Sequence, residues 1–114
     1  MRTFLIAVSG SLALIALPSH AASFNCAKAK SLDEKAICSH RTLSDADVKV
    51  ATLFEVDSRL VAMGQRGDIG DAQRDWLASR KLCTSNIKCL TASYDKRIQD
   101  LQKAFDAIAS RGPF

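Results

Sequence analysis

Residues 89–110 read CLTASYDKRIQDLQKAFDAIAS. Within them Leu90, Tyr94, Ile98, Leu101, Phe105 and Ile108 recur at spacings of 4, 4, 3, 4 and 3. That is the period of one helix face, with charged and amide residues filling the other positions. The spacing predicts a helix from about Cys89 to Ser110. Gly112-Pro113 stops it, because proline cannot continue the backbone ladder.

Working back along the chain, the same period recurs and no strand pattern emerges. A third helix is expected from Asp71 through Trp76 and Leu77 to Cys83, with Thr84 to Lys88 as a short loop. Gln65 to Gly70 holds two glycines and only Ile69 as a large apolar residue, and reads as a loop after a stop at Met63-Gly64. A second helix should start near Leu43, with Ser44 as its N-cap and Asp45 and Asp47 favouring its positive end. Its apolar positions are Leu43, Ala46, Val50, Leu53, Phe54, Leu60 and Val61. Ser31-Leu32-Asp33-Glu34 forms a capping box that opens a short helix from Leu32 to about Ser39. The expected fold class is all-α: a small disulfide-stapled helical hairpin or bundle of three to four helices.

The first 21 residues stand apart. Arg2 is followed by an apolar run from Phe4 to Leu17, interrupted only by Ser9, Gly10 and Ser11 and ended by Pro18. Ser19-His20-Ala21 puts small residues at −3 and −1 of a cleavage site, so 1–21 reads as a Sec signal peptide cut after Ala21. A helix over that run spans about 21 Å, short of the ~30 Å hydrocarbon core. Cys26 follows Ser23-Phe24-Asn25, which is not a lipidation box. The expectation is a periplasmic or secreted domain over 22–114, with no membrane anchor after cleavage. That mature chain has 93 residues and a net charge of +3, against +4 for all 114. It is too short for a dinucleotide fold or more than one core.

Four cysteines in an exported chain of this size read as two disulfides. Structural zinc sites want tight Cys knuckles, and the spacings of Cys26, Cys38, Cys83 and Cys89 do not supply them. Three connectivities are open; the sequential one, Cys26–Cys38 with Cys83–Cys89, makes short loops and is favoured.

Catalytic constellations are sparse. His40 is the mature chain's single histidine, and it sits at a helix end, where it serves the helix dipole better than it serves a nucleophile. Asp33-Glu34 and Asp45/Asp47 lie in first turns, where capping accounts for them without a glycosidase pair. No phosphate-binding loop is present, and neither an enzyme nor a cofactor is expected. Gln73, Trp76, Arg80 and Cys83 share one helix face, and Arg80 can lie on the Trp76 ring. Asp47 interrupts an apolar face of the second helix and is the expected partner of Arg80. Arg74, Arg80-Lys81, Lys88 and Lys96-Arg97 give a basic tendency too weak, at +3, for a nucleic-acid surface. Arg66-Gly67-Asp68, placed in the loop, is a tripeptide common by chance.

Taken together, several blocks resemble the LprI-like lysozyme-inhibitor family. They are Ser23-Phe24-Asn25-Cys26-Ala27-Lys28-Ala29, then Glu34-Lys35-x-Ile37-Cys38, then Leu43-x-x-Ala46-Asp47. Gln73-x-x-Trp76-Leu77-x-x-Arg80-x-x-Cys83 follows, and Cys89-Leu90 with Tyr94-x-x-Arg97-Ile98-x-x-Leu101 completes the set. The blocks run in family order through nearly the whole mature chain. Phe54 stands where the family pattern usually has Tyr, and the lipoprotein anchor of some relatives and any further domain are missing. The resemblance implies a helical exported domain with two disulfides and a protein partner, a lysozyme-like muramidase. It also implies structural or recognition roles for Asp47, Gln73, Trp76, Arg80, Tyr94 and Arg97. Common animal lysozymes are strongly basic, so a +3 inhibitor needs a local acidic patch. Asp45, Asp47 and Asp57 on the second helix are the concentrated candidates.

Overall fold

The computed structural model describes residues 21–112. The expected leader lies outside them except for Ala21, as does Pro113. A single 3-10 turn at Cys26–Lys28 leads into α1 (Leu32–Ser39), α2 (Arg41–Leu60), α3 (Met63–Lys81) and α4 (Ile87–Ala109). The chain is all-α, a small bundle with α2 at its centre. The long seam runs between α2 and α4, while α1 and α3 pack on α2 and α3 barely touches α4.

The α4 face read from the sequence is the one the fold buries. Leu90, Tyr94, Leu101 and Ile108 are buried, with Ile98 and Phe105 half-buried between them. Opposite them α2 supplies Leu43 and Val50, and α1 supplies Ala36 and Ile37. Each leucine, isoleucine or valine among them removed from water contributes about 1.5–3 kcal/mol. The disulfides are Cys26–Cys38 and Cys83–Cys89, with Cα atoms 5.8 and 5.5 Å apart. Two closed disulfides fit an oxidising environment of the extracellular or periplasmic kind. Among the described residues no helix is long and apolar enough to cross a membrane.

Local chemistry sets the helix starts, and in two places it differs from the sequence reading. Asn86 Oδ1 accepts from Cys89 N at 2.9 Å, so α4 begins at Ile87 rather than Cys89. At α2 the expected N-cap Ser44 lies inside the helix, which starts at Arg41 after His40. Its buried hydroxyl instead donates to the Ile37 carbonyl at 2.6 Å, satisfying the frayed end of α1. His40 Nδ1 lies 2.9 Å from the Ala36 carbonyl, at the C-terminal end of α1.

The loop expected over Gln65 to Gly70 is helix, continuous with α3 from Met63. The glycines each weaken a helix by up to about 1 kcal/mol, but tertiary contacts override them. The Arg66 guanidinium donates to the Ser58 carbonyl at 2.8 Å and to the Val61 carbonyl at 3.5 Å, closing the end of α2. The Arg66-Gly67-Asp68 tripeptide is therefore helical surface, with its arginine already engaged. A Cβ at Gly64 or Gly67 would meet nothing within 4 Å, and neither backbone is left-handed. Gly64→Ala and Gly67→Ala should each stabilise the domain by about 0.5–1 kcal/mol, additively, in urea melts.

Candidate functional site: a buried charge cluster and the α3–α4 groove

Arg80, in the last turn of α3, is 6% exposed and carries its guanidinium into the interior. Its Nε donates to Asp33 Oδ2 at 3.0 Å, and its Nη1 lies 3.4 Å from Asp47 Oδ1. Nη1 also donates to the Tyr94 hydroxyl at 3.1 Å, which in turn donates to Asp47 Oδ1 at 2.8 Å. The phenol thus bridges a pair whose direct contact is long. From the outside, Ser23 N and Oγ donate to Asp47 Oδ2 at 2.8 and 2.5 Å. One cluster therefore ties the segment before the 3-10 turn, α1, α2, α3 and α4 together.

Trp76 covers it. The Arg80 guanidinium carbon is 5.5 Å from the indole centroid, and the Tyr94 ring meets the indole edge-on at 5.2 Å. The indole N–H donates to Ser93 Oγ at 3.0 Å, holding the ring between α3 and α4. One turn away, Arg97 Nε and Nη2 both donate to Gln73 Oε1, at 3.0 and 2.8 Å. The six residues singled out from the sequence occupy one region. Asp47, Trp76, Arg80 and Tyr94 form the cluster, while Gln73 and Arg97 pair beside it.

The electrostatics follow from burial. Burial pushes the Asp33 carboxyl up, but the neighbouring Ser31 hydroxyl and the Arg80 guanidinium outweigh it and hold Asp33 below the ordinary carboxylate range. Burial drives the Tyr94 phenol well above its usual value, so it stays a donor. Burial lowers Arg97, and the Asp100 and Asp57 carboxylates oppose that shift. Glu34 accepts from the Lys30 and Ser31 amides at 3.0 and 3.4 Å, the cap role expected of it, and those bonds hold its carboxyl low.

Several readings change here. Asp33 was read as a first-turn acid and is an interior anion at 1% exposure, whereas Asp47, at 4%, faces Arg80 as expected. The acidic patch expected from Asp45, Asp47 and Asp57 does not form, because Asp47 and Asp57 are both buried and of the three only Asp45 faces solvent. Arg80 and Arg97 likewise leave the basic surface, since both are buried. Sequence reasoning missed Asp33, Ser23, Ser93 and the interior position of Asp57. Asp57 had a signal, because it continues the buried face of α2 through Asp47, Val50 and Phe54.

Asp57 is 0% exposed, and neither carboxylate oxygen has a hydrogen-bond partner. Burial raises its carboxyl above the ordinary value, with Arg97 pulling the other way. A folded-state value above the unfolded one means stability that is present below about pH 4 and lost as pH rises through the folded value. Asp57→Asn should therefore gain about 1–2 kcal/mol at pH 7 and little at pH 3, measured by denaturant melts at both pH values.

Above Trp76 the weak α3–α4 contact leaves a groove of about 710 Å³. Its walls include Ala72, Ser79, Ala92 and the Cys83–Cys89 bond, with Asp75, Lys96 and Asp100 among its charged groups. Leu82, also in the wall, is 83% exposed. Among the described residues no three His, Cys, Asp or Glu side chains are placed to hold a metal. The chain matches no family model, no curated protein and no solved structure in the comparisons made. The LprI-like resemblance accordingly rests on the residue blocks themselves.

Proposed function

We propose that this is an exported protein-binding module that takes its partner in the α3–α4 groove. The observation that carries the reading is the contrast between interior and groove. The buried side chains of Asp33, Asp47, Arg80 and Tyr94 are bonded to one another, which suits a scaffold rather than a reacting centre. The groove holds a half-buried indole, an exposed leucine and small residues that admit a partner's side chain. The leader reading and the two disulfides support a periplasmic or secreted location, with cleavage after Ala21.

A lysozyme-like muramidase is the first partner class, on the strength of the LprI-like motif blocks. The test is titration of the mature chain into a cell-wall lysis assay with several lysozymes. Loss of lytic activity near equimolar protein is expected, and full activity at large molar excess overturns the inhibitor reading. Leu82→Asp should weaken inhibition by roughly tenfold or more, without moving the melting temperature, because Leu82 is exposed.

A second reading, the same module with a different protein partner, is favoured by the burial of Asp47 and Asp57. Without an acidic α2 face, long-range attraction to a basic lysozyme is missing at a net charge of +3. Specific capture from periplasmic extract by the mature chain, lost in Leu82→Asp, is its expected result. Capture that Leu82→Asp leaves unchanged overturns the groove assignment.

A further inference from the structure

The buried cluster holds two carboxylates and one guanidinium. Asp33 of α1 and Asp47 of α2 both face Arg80 of α3, while Tyr94 of α4 contributes a neutral hydroxyl. Glu34, the other α1 carboxylate near the site, is already held by the Lys30 and Ser31 amides. Asp33 Oδ1 is buried beside the Ser31 hydroxyl and has no cation bonded to it. An interior anion in excess is unfavourable unless a further cation reaches it.

The segment at the expected cleavage site comes to that place. Ser23 is clamped on Asp47 Oδ2 through both its amide and its hydroxyl. Ala21 is exposed, whereas Ala22 is 5% exposed and packs into the core with Ile37, Leu43 and Tyr94. Successive backbone nitrogens lie no more than about 3.7 Å apart. Since Ser23 N is 2.8 Å from Asp47 Oδ2, Ala22 N lies within about 6.5 Å of that carboxylate in any conformation. In the unprocessed chain that nitrogen is an uncharged amide.

We propose that the Asp33–Asp47–Arg80 cluster is a binding site for the protein's own processed N-terminus, with the α-ammonium of Ala22 as its second cation. The inference rests on the export reading above. Hydrolysis of the Ala21–Ala22 amide adds one water: Ala21 leaves with the leader as a carboxylate, and the Ala22 amine takes up a proton. The cluster then holds two anions and two cations. Leader removal in this way completes the interior, and the mature chain is more stable than the same domain with residues still attached before Ala22.

The test compares three forms of the mature domain: one starting at Ala22, one with a single extra glycine before Ala22, and the Ala22 form acetylated on its α-nitrogen. All three keep every side chain, so none removes a folding contact by substitution. The Ala22 form is expected to melt at least about 5 °C above the other two. Its α-amine should react with an acylating reagent at neutral pH roughly tenfold slower than in the denatured chain, while the added glycine reacts freely. Equal melting of the three forms, or an Ala22 amine as reactive as in the denatured chain, overturns the ammonium site. The mass of the protein recovered from an exporting host judges the processing separately. A mature chain starting elsewhere than Ala22 overturns the cleavage reading, whatever the melting comparison shows.

Discussion

Arg80→Ala is expected to lower stability by about 3–5 kcal/mol, the largest loss from any single substitution in the domain. The guanidinium is the common partner of Asp33, Asp47 and Tyr94, and it sits beneath the Trp76 ring. Its removal leaves two interior carboxylates facing each other's field without the guanidinium that bridges them. For a domain of this size the loss corresponds to a melting-temperature drop of more than about 12 °C. Arg80→Lys should recover only part of it, since an ammonium cannot serve Asp33 and Tyr94 from one planar fork. The combination Arg80→Met, Asp33→Asn and Asp47→Asn should be far less damaging than Arg80→Ala alone, because it removes the charges together. A triple variant as unstable as Arg80→Ala would show that packing, not charge, dominates the cluster. Acid adds a second readout. Asp33 is held below its unfolded value, so its stabilising effect is present above about pH 4 and lost as pH falls through the folded value. In Arg80→Ala that acid sensitivity should weaken.

Replacing Cys26 and Cys38 together by serine is expected to cost about 3 kcal/mol, against about 2 kcal/mol for the Cys83 and Cys89 pair. The loop-entropy argument gives the order, since the two bonds span sequence separations of 12 and 6. The first bond also has a structural reach that the second lacks. It pins the segment that brings Ser23 to Asp47 and Ala22 into the core. Its loss should therefore expose Ala22 and increase hydrogen exchange at the Ser23 amide, with the α4 core amides still protected. Urea melts of the two double variants check the order, and equal losses would argue against a role for the Ala22–Ser23 segment in stability.

The α4 stretch shows how much of this molecule is written locally. Its 4-4-3-4-3 apolar spacing names the buried face without reference to any other residue, because an amphipathic helix must turn that face inward. The same holds for α1, where Glu34 makes its cap bonds through neighbours in sequence. The two disulfides are nearly as legible, because short loops close readily and the helix ends bring the sulfurs together. Arg80 with Asp47 was legible for a different reason, as an acid on an apolar helix face implies a buried base. Asp33 was not. Beside Glu34 in a first turn it has a sufficient local explanation, and its interior partner lies 47 residues away.

By itself, then, the sequence determined the helices, their inward faces and the staples, since each depends on residues within a few turns of one another. Tertiary structure decided the rest. It converted the glycine-containing stretch before Asp71 into helix by docking Arg66 on the end of α2. It also took Asp33, Asp47 and Asp57 out of the solvent, and with them the acidic face that α2 offered on paper. The physical reason is common to these cases. Whether a charge is a cap, a surface group or an interior anion depends on which distant element packs over it, and local spacing carries no record of that.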